Sequence, residues 1–178
     1  MAQRWIYFFG NSHADGSGEI KHRIGGKGAS LAEMTRAGLR VPPGFTISAE
    51  CCAHYYQHHH QWPADLEAEL RENLRRLEQL AGRPFGVGAD PLLVAVRSGA
   101  AESMPGMMDT VLNVGLNPDC VRAMAERTAN ARGAWDAYFH FVDMYSQTVG
   151  GCQNDMFRAE HDILAVEELE SACNDARE

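Results

Sequence analysis

Hydrophobic and polar positions divide this chain into short runs and helical stripes. Arg4-Trp5-Ile6-Tyr7-Phe8-Phe9 is aromatic and β-branched and ends at Gly10-Asn11-Ser12, which predicts a first strand followed by a turn. From Ala29 to Ala37 the residues Leu31, Met34 and Ala37 recur at helical spacing, and Gly38 is a left-handed stop. Val41-Pro42-Pro43-Gly44-Phe45-Thr46-Ile47 reads as a rigid turn leading into a strand, with Ser48 capping a helix that carries Cys51 to His60. The clearest stripe is Leu66, Leu70, Leu74, Leu77 and Leu80, on a helix from Asp65 to Leu80 closed by Gly82, with Glu67–Arg71 and Glu72–Arg76 pairs outside. Leu92-Leu93-Val94-Ala95-Val96 is a continuous apolar run, expected to be a central strand buried on both faces.

After Asn117-Pro118-Asp119 the pattern turns helical. Trp135, Tyr138, Phe139, Val142, Tyr145 and Val149 recur every three or four residues, so Gly133–Val149 is expected to bury a wide aromatic face. A last helix is expected from His161 to Cys173. These elements imply an α+β chain, with an α/β part over 1–116 and a helical subdomain over 117–178.

Composition narrows the partners. The 178 residues suffice for one domain or two small subdomains, and 45% apolar with 22% charged residues is the balance of a folded, water-soluble protein. A net charge of -8 without a basic block argues against a nucleic-acid or anionic-membrane surface. No run is long enough to span a membrane, and Met1-Ala2-Gln3-Arg4 leads into the first strand without a signal-peptide core, which points to the cytoplasm. Five cysteines without C-x-x-C spacing predict reduced, mostly buried thiols.

Candidate chemistry sits at two places. Gly25-Gly26-Lys27-Gly28 lacks the G-x-x-x-x-G-K-[ST] spacing, because Lys21 stands where the first glycine belongs. Its physics still suits phosphate: glycines let backbone N–H groups approach an anion, a helix expected to begin near Ala29 points its positive end at the loop, and Lys27 adds a mobile cation. A tight turn with a solvated lysine accounts for the same residues. Arg97 follows an apolar strand and precedes Ser98-Gly99, where open α/β sheets present ligand-binding groups, and its fork suits bidentate phosphate contact. A capping arginine paired with a carboxylate is the alternative. Ser103-Met104-Pro105-Gly106-Met107-Met108-Asp109-Thr110 adds hydroxyls, backbone amides and a carboxylate in a small-residue loop. His54 and His58, with the cluster His58-His59-His60, lack the H-E-x-x-H pattern and nearby carboxylates, so no metal site is assigned.

These two motifs, together with Arg4-Trp5-Ile6-Tyr7, Val41-Pro42-Pro43-Gly44-Phe45-Thr46, Asp90-Pro91-Leu92-Leu93-Val94, Leu112-Asn113-Val114-Gly115-Leu116-Asn117 and Phe141-Val142-Asp143-Met144-Tyr145, resemble the pyruvate, phosphate dikinase family over about four fifths of the chain. The resemblance implies part of an ATP-grasp-type nucleotide-binding domain, with a mixed sheet and helices, joined to the start of a helical subdomain. It implies that Lys27 and Arg97 hold the ATP phosphates as catalytic cations. Gly25, Gly26, Gly28, Ser98, Ser103, Met104 and Asp109 complete the nucleotide-binding set. The family's reaction converts ATP, phosphate and pyruvate to AMP, diphosphate and phosphoenolpyruvate through a phosphohistidine on a separate swivelling domain.

The resemblance departs at Asn130-Ala131-Arg132-Gly133 and from Gly150 onward. It places the magnesium-binding carboxylates of Mg-ATP, the phosphohistidine domain and the pyruvate-binding barrel outside these 178 residues. The expectation is an amino-terminal ATP-binding piece that is inactive alone and is completed by the remainder of the dikinase. The alternative is a stand-alone, non-catalytic relative that binds a nucleotide, self-associates or docks on a full-length enzyme.

Overall fold

The computed structural model describes residues 3–99 and 110–149, which gather into two compact units: 3–82 with 98–99, and 83–97 with 110–149. The described part is α+β. The expected helix from His161 to Cys173 lies outside the described residues.

In the first unit, β1 (Ile6–Gly10) turns through Asn11 and Ser12, both left-handed at φ 52° and 59°, into β2 (His13–Ala14). Two successive positive φ values match the right-handed twist of a two-residue hairpin. A single turn of tight helix (Gly18–Ile20) leads to α1 (Lys21–Arg36), followed by β3 (Gly44–Ile47), α2 (Ala49–Gln57) and α3 (Leu66–Ala81). The sheet order is β2-β1-β3, antiparallel throughout, with Ile6 opposite Ile47 and Phe8 opposite Phe45.

All five residues of β1 are buried. Alternation sends Ile6 toward Cys51 and Leu66, and Tyr7 toward Ile24 and Ala29 of α1. In this unit the strand covered on both faces is therefore β1. Carboxylates tie it at its start and at its middle. Glu69 of α3 accepts the N–H groups of Trp5 at 3.0 Å and Ile6 at 2.9 Å, and Asp15 accepts that of Phe8 at 3.1 Å. Glu69→Gln turns one of those oxygens into a donor facing an N–H group. It is expected to cost about 2 kcal/mol in urea unfolding, and a loss below about 0.5 kcal/mol would show that the tie is unimportant.

The leucine helix forms, although the last leucine of the expected stripe, Leu80, is 42% exposed. Leu66 and Leu77 are buried, Gly82 closes the helix at φ 65°, and Arg71 pairs with Glu67 at 2.7 Å. The outer ladder differs from expectation in one place. Glu72 pairs with Arg75 at 2.8 Å, while the Arg76 guanidinium lies 3.9 Å over the Phe8 ring, because position 76 turns inward over the sheet. Ser48 caps α2 as expected, accepting the Cys51 N–H at 3.2 Å. The helix stops at Gln57, and His59 and His60 are left-handed at φ 54° and 62°, so the expected extension to His60 is a turn. The buried face of α1 is Ile24, Ala29, Ala32 and Thr35, while Met34 and Ala37 face outward. Small residues occupy that face because the helix lies close on the sheet. Cys51 and Cys120 are buried and Cys52 exposed, all three as free thiols, and burial pushes the Cys51 thiol up, out of the reactive range. Cys152 and Cys173 lie outside the described residues.

The second unit pairs β4 (Val94–Arg97) with β5 (Thr110–Val114), antiparallel, and packs α4 (Pro118–Thr128) and α5 (Ala131–Thr148) around Leu116, Cys120, Val121, Ala134 and Trp135. Asn117 and Asn130 cap the two helices by accepting the N–H groups of Cys120 and Gly133, each at 3.0 Å. The expected central strand at 92–96 is corrected here. Leu92 forms a bridge with Phe85, Leu93 joins the core, and β4 pairs only with β5 among the described residues, leaving Val96 53% exposed. The aromatic face of α5 is likewise narrower than expected. Trp135, Tyr138 and Phe139 pack inward, whereas Tyr145 and Val149 are exposed. Among the described residues no helix is long and apolar enough to cross a membrane.

Candidate functional site

The glycine motif lies inside α1, at a break in it. Lys21–Ile24 form one helical turn, Gly25 leaves helical geometry at φ 70° and ψ 171°, and the helix starts again at Gly26. This corrects the expected start near Ala29. Gly26, Lys27 and Gly28 form the first turn of the restarted helix, so the positive end of its dipole lies at the motif itself.

Each glycine has a separate physical reason. Gly25 is buried in a conformation that costs an L-residue about 1–3 kcal/mol. A Cβ on Gly28 would stand 2.9 Å from Thr46 Oγ1 and 3.0 Å from its Cγ2, so hydrogen there is what lets α1 lie on β3. A Cβ on Gly26 would have room, with Lys21 Cε nearest at 3.6 Å. Gly25→Ala is therefore expected to lower stability by about 1–3 kcal/mol, whereas Gly26→Ala is expected to change it little. Equal effects in thermal unfolding would mean that the break is not held at Gly25.

Lys21 and Lys27 are the only lysines in the chain. Lys27 Nζ donates to the Ser98 carbonyl at 3.4 Å and makes no carboxylate pair among the described residues. That contact brings together two of the residues singled out in the sequence. Arg97 ends β4 opposite Thr110, exposed, and has no ion pair among the described residues. Most other arginines do answer a carboxylate, as in Arg83 and Arg127 on Asp90 at 3.2 and 3.3 Å. Lys27 and Arg97 are thus cations whose charge no described acid neutralises. Ser103, Met104 and Asp109 lie outside the described residues.

One feature beside the motif has no local signal in the sequence. Arg23, two residues before the break, reaches Glu50 of α2 at 2.6 Å and lies 5.6 Å over the Tyr7 ring. The Arg23 hydrogen bond holds the Glu50 carboxyl below its ordinary range. Since that shift is downward, the pair's stabilisation is in place above the ordinary carboxylate range and is withdrawn as pH falls through the lower value. The partners are 27 residues apart, so neither helical spacing nor capping pairs them.

The histidines make no metal arrangement from the described residues. His54 and His58 stack at 3.8 Å, His58 Nδ1 lies 2.9 Å from the His54 carbonyl, and no three His, Cys, Asp or Glu side chains converge among the described residues.

Comparison with known proteins places this geometry in a family. The family described as "Pyruvate phosphate dikinase, AMP/ATP-binding domain" matches residues 21–60 and 58–135, a span that begins at the first turn of α1 and includes Lys27 and Arg97. The pyruvate, phosphate dikinase of Rhizobium meliloti is 48% identical over 154 residues, 86% of this chain and 17% of the relative. That of Giardia intestinalis is 46% identical over 169 residues, 93% of this chain and 19% of the relative. That of Clostridium symbiosum is 45% identical over 146 residues, 82% and 16% respectively. The chain spans less than a fifth of the length of these relatives. With most of its length matched by the family and by relatives of this identity, the chain belongs to the pyruvate phosphate dikinase AMP/ATP-binding domain family.

Proposed function

We propose that this chain supplies the amino-terminal, phosphate-holding part of an ATP-grasp-type domain in a pyruvate, phosphate dikinase. Lys27 and Arg97 clamp the ATP phosphates, with Gly25, Gly26, Gly28, Ser98, Ser103, Met104 and Asp109 around them. The observation that carries the reading is the restarted helix, which puts Lys27 in a first turn with its charge unanswered by any described carboxylate. A positive helix end, a glycine-rich first turn and an ammonium without a described carboxylate partner form an electrostatic receptor for a phosphoryl group in motion. That task needs charge held in position and no covalent chemistry from the protein.

Magnesium enters with ATP, and its carboxylate ligands are assigned to segments outside this chain. No carboxylate of this part is assigned to the metal. The relatives are about five times as long, which supports leaving phosphoryl relay and pyruvate chemistry to other segments and expecting no turnover by these residues alone. A cytoplasmic location accompanies this reading.

Isothermal titration with Mg-ATP tests it. The expected result is weak binding, about millimolar or roughly -4 kcal/mol, that depends on both Lys27 and Arg97. Tight saturable binding would favour the second reading, a stand-alone nucleotide module able to dock through the exposed Val96 and Leu112. Binding indifferent to both cations would overturn the phosphate assignment, and conversion of ATP and pyruvate by this chain alone would overturn the expected inactivity.

A further inference from the structure

We propose that Arg23 and Glu50 are positioning residues whose ion pair sets the break at Gly25, and through it the placement of Lys27. The inference rests on the nucleotide reading above for its consequence, though not for its geometry.

The anchor is traceable from the sheet outward. Ser48 donates its N–H to the Trp5 carbonyl at 2.8 Å, next to β1, and its side chain caps α2 through the Cys51 N–H. Ser48 is only 1% exposed, so the first turn of α2 is pinned to the central strand. Glu50 stands in that first turn, where a carboxylate is favoured by the helix dipole. Its Oε2 then takes the Arg23 guanidinium at 2.6 Å. From Arg23 the chain runs through buried Ile24 to Gly25.

The turn Lys21–Ile24 is too short to hold its own geometry. Ile24, packed with Tyr7 and Ala29, fixes its depth. A single buried side chain leaves the turn free to rotate about itself, and a second attachment away from that axis is needed to stop the rotation. The Arg23–Glu50 pair is such an attachment. The guanidinium is held over the Tyr7 ring even though its Nε is buried without a hydrogen-bond partner, so the ion pair and ring face select the pose and a full set of hydrogen bonds does not. On the far side of the break, Gly28 is seated on Thr46. Gly25 and Gly26 therefore lie between two fixed points, with Lys27 between Gly26 and the second.

The test compares the parent chain with Glu50→Gln, Arg23→Met, and the charge-swapped double variant Arg23→Glu with Glu50→Arg. Met keeps an apolar stem on Tyr7, which separates loss of charge from loss of packing. In the absence of nucleotide, the amide resonances of Gly25, Gly26, Lys27 and Gly28 are expected to move in both single variants, while that of Gly18, tied to Glu33 at 2.7 Å, stays in place. Mg-ATP affinity is expected to fall about three- to tenfold in each single variant, the size for a group acting through another. The swapped pair is expected to recover only part of both effects, since it sets a cation at the positive end of α2 and a carboxylate against the Tyr7 ring. Unmoved amides at 25–28 in Glu50→Gln would overturn the proposal, as would moved amides with unchanged affinity in a parent that binds ATP. A parent that binds no ATP would sink the nucleotide reading, and amides that still move would then uphold the ion pair as the device that sets the break.

Discussion

Lys27→Ala is expected to weaken Mg-ATP binding by about 10- to 100-fold, from about millimolar to beyond easy measurement. The range follows from removing one charge-assisted hydrogen bond to a phosphate oxygen, worth about 1.5–3 kcal/mol. No described carboxylate is left unpaired by the change, since among the described residues Lys27 donates to the Ser98 carbonyl and pairs with no acid. The loss should therefore appear in affinity and hardly in the unfolding transition. Lys27 is partly exposed, so added salt should weaken parental binding and narrow the difference between parent and variant. Arg97→Ala should act alike, with Arg97→Lys recovering only part, because an ammonium cannot reproduce the guanidinium fork. Titration of the three variants beside the parent decides the matter, and an affinity within twofold of the parent in Lys27→Ala would remove Lys27 from the phosphate site.

The second large effect concerns stability. Phe8→Ala is expected to cost about 3–5 kcal/mol, a large share of the roughly 5–15 kcal/mol that holds a typical domain folded. Phe8 is 0% exposed at the middle of β1, and the neighbouring strands and α3 leave little freedom to close the space it vacates. The Arg76 guanidinium also loses the ring it lies on, adding about 0.5–1 kcal/mol. Urea unfolding followed by tryptophan fluorescence, where Trp5 reports on the strand, should show the midpoint collapse. Phe8→Leu, which removes far less volume than Phe8→Ala, should be milder. If Phe8→Ala cost less than about 1 kcal/mol, β1 would not be the centre of the first unit.

The contrast between the two apolar runs shows where sequence reading stops. Leu92–Val96 has the more continuous aliphatic run, yet Val96 is half exposed, whereas all of β1 is buried despite its mixture of aromatic residues and glycine. Apolarity states that a strand can be covered; which helices cover it depends on residues tens of positions away. The same distinction separates the arginines of α3. Arg71 finds Glu67 on its own helix, as spacing requires, while Arg76 leaves Glu72 for a ring on another element. In the candidate site, the residue types at Lys27 and Arg97 and the glycine texture around the former were legible as phosphate chemistry. The break at Gly25, the seating of Gly28 on Thr46 and the Arg23–Glu50 pair were not, because each depends on an element that comes later in the chain.

What the sequence determined by itself was whatever short-range chemistry decides: the helix of α3 with its leucines and its Gly82 stop, the Ser48 cap, the Asn11-Ser12 turn, and the two motifs that carry the family likeness. These rest on interactions between residues a few positions apart, so their geometry follows from the backbone's own periodicity. Tertiary structure alone decided which strand became central, which face of α1 was buried, and how the helix carrying Lys27 was broken and held. Those outcomes depend on contacts between elements distant in sequence, and it is the fold that brings such elements within reach of one another.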